Sequence, residues 1–368
     1  MTGTVTNASP DPGGLASQRL GEIYVLLHMD CELKCKVCPY WGLRGACRDP
    51  GFRAAHLRPL ELGALKTFID QTAAYRPRTL TLSGGEPLLS PDWVEVAAHA
   101  KSRGLRVALS TNALHIPRYY DEVFQLVDSI HVSLGGTQEI LGQIRGAEYG
   151  FDEVLDCLAE ISARKRAQRR HRPTVRIIYV VSDLSYRQLE EFYELFQTRG
   201  IGIDSFYFQH VIYVDPDSLR RQKQVLAERG LQSQLWDSYL YTPGAMDFDV
   251  LRRQIDALSG RDGVRFSPRL SPSELPLYYD PSTKGRLAAR GRCRAPWTQV
   301  DLYPNGDIQV CPDYVLGNIY RQPFVDIWNG DRAQHLRRHL LTHHAFPACS
   351  GCFYYYVSHE DPTEEPNP

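Results

Sequence analysis

Three cysteines, Cys31, Cys35 and Cys38, stand at C-x3-C-x2-C spacing. A tight loop at this spacing aims three thiolates at one point, and cysteine thiolates are the usual protein ligands of iron–sulfur clusters. Three ligands on a four-iron cubane leave one iron open to an outside ligand. A structural zinc site uses the same residue type but takes four ligands, and Cys47 supplies a fourth by count. Far along the chain lies a second set: Cys293, Cys311, Cys349 and Cys352. Cys293 and Cys311 flank a hairpin-like run, Gln299 to Val310, turning at Pro304-Asn305-Gly306-Asp307. Asn-Gly is a strong hairpin signal. Cys349 and Cys352 form a Cys-x2-Cys knuckle. Together they make a four-thiolate cage, which suits a cluster or a zinc ribbon.

A third feature is Ser83-Gly84-Gly85-Glu86-Pro87. Two glycines let backbone approach a ligand closely, and the glutamate is placed to accept hydrogen bonds from an ammonium. The elements that must position these groups alternate. Short β-rich runs cover Glu22–His28, Thr79–Ser83, Arg106–Ser110, Ser129–Ser133, Val175–Val181 and Asp204–His210. Helical signals fall between them. Ser90 before Pro91 reads as a helix start, and Ser185 with Gln188 reads as a capping box. Leu189, Phe192, Tyr193 and Phe196 give one apolar face; Phe151, Val154, Leu155, Leu158 and Ile161 give another. Six alternations predict a parallel α/β domain, as a doubly wound sheet or an open barrel. In either, ligands bind at the carboxyl ends of the strands, where the first cysteine set and the Gly-Gly-Glu turn both fall.

The chain of 368 residues is 43% hydrophobic and 23% charged, with a formal net charge of −1. This composition predicts a folded chain with no global field toward nucleic acid. No apolar run is long enough to span a bilayer. Residues 1–20 carry neither the basic nor the apolar block of a signal peptide, so a cytoplasmic location is expected. In a reducing compartment, grouped cysteines point to metal rather than disulfides. The expected organisation is a tail over 1–20, an α/β domain over 21–212 and a helical bridging region over 213–292. A small cysteine domain over 293–356 and a tail over 357–368 follow. The bridging region is read with helices near Ser218–Arg229 and Asp247–Leu258 and a connector over Ser267–Pro281.

With these motifs the sequence resembles the radical S-adenosylmethionine (SAM) superfamily. Cys31, Cys35 and Cys38 match its cluster loop, and Gly84, Gly85 and Glu86 match its SAM-amino motif. Ser110-Thr111-Asn112, Ser133 and Arg145-Gly146 look familial, and Val37 falls where members place a residue near the adenine. The resemblance implies SAM contacts at Val37, Gly84, Gly85, Glu86, Ser110, Asn112 and Ser133. It also implies a partial (β/α)6 barrel with a small C-terminal α+β domain. Gly306, Gly317-Asn318-Ile319, Ile327-Trp328-Asn329, Arg337 and Pro347-Ala348-Cys349 resemble the SPASM or twitch extension. Its cysteines here suffice for one auxiliary [4Fe–4S] cluster, held by Cys293, Cys311, Cys349 and Cys352.

The resemblance further implies reductive cleavage of SAM at a [4Fe–4S] cluster on Cys31, Cys35 and Cys38, followed by removal of a hydrogen atom from a substrate C–H bond. Flavodoxin or ferredoxin is the expected electron donor. The expected substrate is a small molecule, such as a sugar or aminocyclitol, undergoing dehydrogenation or epimerisation in natural-product biosynthesis. The alternatives are crosslinking or epimerisation of a ribosomally made precursor peptide, and a non-catalytic zinc-binding protein. No nucleic acid and no membrane is expected as partner. Cys47 is a hydrogen-donor candidate or a plain loop cysteine, and Cys157 is a core thiol. Arg164 to Arg172 reads as a solvated helix end, and Gln209 and His210 end the sixth strand, where substrate could lie.

Overall fold

In a computed structural model of the chain, residues 20–145, 149–285, 287 and 293–357 are described. Gly146 and nearly all of both expected tails lie outside them. Leu20, assigned to the tail, is buried in the core.

The strands form in the expected places because their alternate residues have two destinations, an apolar one beneath the helices and a polar one facing the cavity. β1 (Glu22–Leu26), β2 (Thr79–Ser83), β3 (Arg106–Thr111), β4 (Ser129–Ser133), β5 (Thr174–Val181) and β6 (Ser205–His210) are parallel and paired in chain order. Ile23, Val25, Leu80, Leu82, Val107, Leu109, Ile130 and Val132 are all fully buried beneath the helices. Trp93, Phe192 and Phe196 answer them from the helix side. The opposite face is polar: Glu22, Tyr24, Ser110, His131, Arg176 and Tyr207 line one cavity of about 810 Å³. A flat sheet could not bring these residues around a common space, so the sheet is curled into a partial barrel.

Two findings correct the bridging region. β7 (Val264–Ser267) extends the barrel by pairing in parallel with β6. It escapes a periodicity search because it has four residues, one of them an arginine turned to the cavity. The stretch read as a connector contains the helix Glu274–Tyr279, whose Tyr278 and Tyr279 are buried. The helices Pro216–Ala227 and Phe248–Leu258 fall where expected.

The second cysteine region adds to the same sheet. β8 (Gln299–Leu302) pairs in parallel with the free side of β1, Glu22 to Gln299 and Val25 to Leu302. β9 (Asp307–Gln309) returns antiparallel, and β10 (Val315–Asn318) pairs with β9. The turn is made by Gly306 at φ +85°. The strand order is thus β10-β9-β8-β1-β2-β3-β4-β5-β6-β7 among the described residues. Arg337 ties the helix Asp331–His343 to the carbonyls of Pro296 and Trp328, both at 2.9 Å. No described helix is long and apolar enough to cross a membrane.

Two helix starts differ from expectation. The helix after β2 begins at Trp93, because Ser90 accepts the Asp92 amide in the preceding turn. Ser185 donates to the Val180 carbonyl at 2.7 Å and so closes the end of β5; the helix begins at Leu189.

At the opposite end of the barrel, Asp128 accepts from the Val107 amide (2.9 Å), Lys101 (2.8 Å) and Arg172 (2.9 Å). Burial alone would raise its pKa, but these donors outweigh burial and hold it below the usual range. Asp128→Ala should cost about 2–3 kcal/mol in denaturant unfolding, because hydrogen bonds to a charged group are lost. In the wild type this contribution is complete above about pH 4, the unfolded carboxyl range, and is lost as pH falls through the lower folded value. The variant should lack that part of the acid-side decline.

Candidate functional site

The cysteine loop leaves the carboxyl end of β1 and is fastened to the end of β2. The Gly85 amide donates to the His28 carbonyl and the Glu86 amide to that of Asp30, both at 2.8 Å. A β-carbon at Gly85 would lie 1.9 Å from the Asp30 carbonyl oxygen, and one at Gly84 2.2 Å from that of His28. Gly84 also holds φ +129°, a conformation that favours glycine. The glycines therefore serve chain-to-chain contact directly beneath the cysteines. The loop is closed by the Trp41 indole, which donates to the Met29 carbonyl at 2.6 Å.

Glu86 is nearly inaccessible. Its carboxylate accepts from the Thr111 hydroxyl (2.7 Å) and from the Asn112 (2.9 Å) and Leu88 (3.2 Å) amides. The side chain thus faces the end of β3. Burial, against these hydrogen bonds, raises its pKa to about 7. Asn112 reaches back through its amide group to Glu32 at 2.8 Å, in the cysteine loop. Ser110 and Ser133 line the cavity at the strand ends, and Val37 is half-buried in the loop between Cys35 and Cys38.

Arg145, which the sequence marked only through the familial Arg145-Gly146 pair and not as a contact residue, joins several parts. It donates to the Ser133 carbonyl at 2.5 Å and stacks on Tyr149 at 4.7 Å. Its charge opposes the upward push of burial on the Cys35 thiol. Its Nη1 is buried without a hydrogen-bond partner among the described residues. The Cys31 thiol is pushed up to about 12 by burial, with Glu32 and Glu86 adding to the effect. An electropositive group among these cysteines would relieve that cost.

The second set is brought together from three elements. Cys293 precedes the turn into β8, Cys311 follows β9, and Cys349 and Cys352 sit on and after the helical turn Pro347–Gly351. Burial raises the Cys311 thiol well above its usual range, and Cys349, Cys352 and Cys293 add to it, so the four lie within mutual electrostatic reach. Asp313 braces this loop by accepting from the Leu235 (2.8 Å) and Trp236 (3.0 Å) amides.

Both sets fit iron–sulfur clusters. Cys38 Sγ receives amide hydrogens from Tyr40 and Trp41 at 3.4 Å, and Cys349 Sγ receives one from Phe346 at 3.1 Å. Such donors tune cluster thiolates. No three described His, Cys, Asp or Glu side chains close on one point tightly enough for a single ion.

Other expected residues sort clearly. Cys47 is buried with Leu26, Met29, Phe52, Leu235 and Tyr303, and it is not among the side chains lining the cavity. Burial and nearby Cys38 push its thiol up to about 11. Gln209 lines the cavity, whereas His210 faces outward and bonds Tyr279 at 2.7 Å. Cys157 is core. The cavity itself reaches Tyr40 beside the first cysteine set and Cys352 and Tyr354 of the second.

The comparisons with known proteins now bear on this arrangement. Residues 26–196 match the model of the radical SAM superfamily, and residues 293–353 match that of SPASM, an iron–sulfur cluster-binding domain. The chain carries a radical SAM domain and a C-terminal SPASM iron–sulfur cluster-binding domain. Its cofactors are SAM and [4Fe–4S] clusters. It is 26% identical to the AdoMet-dependent heme synthase of Methanosarcina barkeri, over 81% of this chain and 79% of that protein. It is 24% identical to the pre-heme d1 synthase of Dinoroseobacter shibae, over 82% and 71% respectively. The fold is similar to that of Streptococcus suis SuiB bound to the precursor peptide SuiA. That match has a TM-score of 0.58 and 16% identity, covering 92% of this chain and 71% of SuiB.

Gly85→Ala should separate β2 from the cysteine loop of this radical SAM domain. The overpacking should cost about 1–3 kcal/mol in thermal unfolding. Iron content after anaerobic reconstitution should fall with it.

Proposed function

We propose that the chain removes a hydrogen atom from an unreactive C–H bond of a small molecule held in the barrel cavity, and that the outcome is a dehydrogenation, the remaining electron leaving to the cluster that Cys293, Cys311, Cys349 and Cys352 would hold and a proton leaving to solvent. The observation that carries this reading is that Tyr40, Ser83 and Ser133, which adjoin the three-cysteine loop, the Gly84–Glu86 turn and Arg145, line a cavity that Cys352 of the second set also lines. When bound, the cofactors supply a 5′-deoxyadenosyl radical by one-electron cleavage of SAM.

The remaining tasks belong to side chains. Cys31, Cys35 and Cys38 hold the SAM-binding cluster, and Cys293, Cys311, Cys349 and Cys352 hold the auxiliary one. Backbone around Gly84 and Gly85 borders the methionyl group, since Glu86 is turned inward. The orphaned Nη1 of Arg145 takes the SAM carboxylate. Tyr40, Tyr239 and Tyr303 wall the upper cavity against water. The packing of Cys47 among Leu26, Met29, Phe52, Leu235 and Tyr303 supports oxidation over epimerisation by a thiol donor. The names of the two heme-forming relatives support a small molecule. A precursor peptide is the second reading, supported by the PqqA peptide cyclase of Ruegeria pomeroyi, 28% identical over 42% of this chain.

Anaerobic purification with metal analysis tests the reading. About eight irons per chain are expected, as two cubanes. Zinc in both sets and no iron would sink it. Changing Cys31, Cys35 and Cys38 together to Ala should abolish 5′-deoxyadenosine formation with dithionite. Arg145→Gln should weaken SAM binding about tenfold by calorimetry, the loss of a charged hydrogen bond.

A further inference from the structure

The cysteine loop has an inward and an outward side. Inward, Ala46 and Cys47 pack with Leu26, Met29 and Phe52. Outward stands Leu43, 72% exposed, more than any other large apolar residue among the described ones. Its backbone is fixed. The Leu43 amide donates to the Lys36 carbonyl at 3.2 Å, and the Gly42 amide to that of Cys38 at 2.9 Å. A β-carbon at Gly42 would lie 2.5 Å from the Cys38 and Lys36 carbonyl oxygens. A single exposed leucine is ordinary in itself. Its surroundings set this one apart.

Four cations stand around it. Lys36 and Arg44 are exposed beside it, and Arg48 reaches the Gly42 carbonyl at 2.5 Å. Lys34 lies over the Trp41 ring at 3.5 Å and donates to the Cys31 carbonyl at 2.6 Å. These acceptors are neutral and leave the charges uncancelled. None of the four is in an ion pair among the described residues. Arg53 and Arg58 follow, both exposed. The same stretch carries three carboxylates, Asp30, Glu32 and Asp49. Glu32 is taken by Asn112 and His115, and Asp49 by the Phe52 amide. Residues 30–58 thus hold six cations against three carboxylates, a formal +3 in a chain of −1.

We infer that this face docks an acidic protein that carries one electron. The inference rests on the reductive SAM cleavage proposed above and gives its electron source a place on the chain. Each SAM cleaved consumes one electron, and the carrier that yields it is oxidised by one. The face is built from the cluster loop itself. Lys34 and Lys36 flank Cys35, and one hydrogen bond joins Gly42 to the Cys38 carbonyl. A partner seated on Leu43 is therefore a few covalent bonds and one hydrogen bond from two of the three thiolates. The cations steer an acidic partner to the loop, and the leucine gives the contact a dry centre. A nucleic acid would meet the same cations, but it carries no electron and would leave Leu43 without an apolar partner.

Calorimetry on the cluster-loaded full chain tests this with oxidised flavodoxin, oxidised ferredoxin and a DNA duplex of about 20 base pairs. At least one carrier should bind, and more weakly at about 0.5 M salt than at about 0.05 M, because salt screens exposed charges. Lys36→Glu combined with Arg44→Glu should weaken that binding at least about tenfold. Leu43→Ser should weaken it about tenfold through lost apolar contact. With limiting photoreduced carrier, 5′-deoxyadenosine formation should fall by the same factors. With saturating dithionite, which needs no docking surface, both variants should match the wild type. Binding of neither carrier, wild-type affinity in both variants, tighter binding of the DNA, or equal losses under dithionite would overturn the inference. Carrier binding that depends on Leu43, without 5′-deoxyadenosine formation by the wild type under dithionite, would remove the cleavage proposal and leave the docking surface standing.

Discussion

The backbone of one strand end lies directly on the backbone of another, and the rest of the site hangs from that contact. At Gly84 and Gly85 no side chain could be tolerated against the carbonyls of His28 and Asp30. The contact turns a long loop into part of the barrel rim. Loops of this length carry many conformations, and cluster ligands need one. Glu86 extends the fixed region sideways to Thr111 and Asn112, and Asn112 returns it to Glu32. Three strand ends and the cysteine loop are thus one hydrogen-bonded unit.

Around this unit the strands serve two environments. Their outer residues are the apolar surface on which the helices pack. Their inner residues are charged or hydroxylated and surround a space large enough for a ligand. Burying polar groups in this way is costly unless each finds partners. Here many do: Glu22 with Thr81, Asp301 with Tyr354, Asp128 with three donors. The barrel is therefore held together from outside by apolar packing and given its chemical character from inside.

Much of this was legible in the residues. All six long strands announced themselves by composition, and the cysteine spacings with Gly84–Glu86 marked the right strand ends. What stayed hidden was whatever depended on contacts distant in sequence. β7 is too short and too polar inside to stand out, and its partner β6 is what makes it a strand. Ser90 and Ser185 looked like caps because a serine hydroxyl before a helix usually serves the helix; here each serves the turn before it. Arg145 offered only a family likeness beside Gly146, and its link to β4 emerges from the Ser133 carbonyl that receives it. Gln209 and His210 were indistinguishable in sequence, yet strand alternation sends one inward and the other outward.

The parallel seam between β8 and β1 has a geometric corollary. Because Gln299–Leu302 is laid against Glu22–Val25, the cysteine loop that follows β1 and the segments bearing Cys293 and Cys311, before β8 and after β9, are set by one shared register. Only shifts of two residues preserve which side chains face the cavity, and each moves β8 by about 7 Å along β1. The spacing of the two thiolate sets is therefore counted in whole dipeptides. An ancestral chain could lengthen its loops gradually, but it could change that spacing only by discrete jumps.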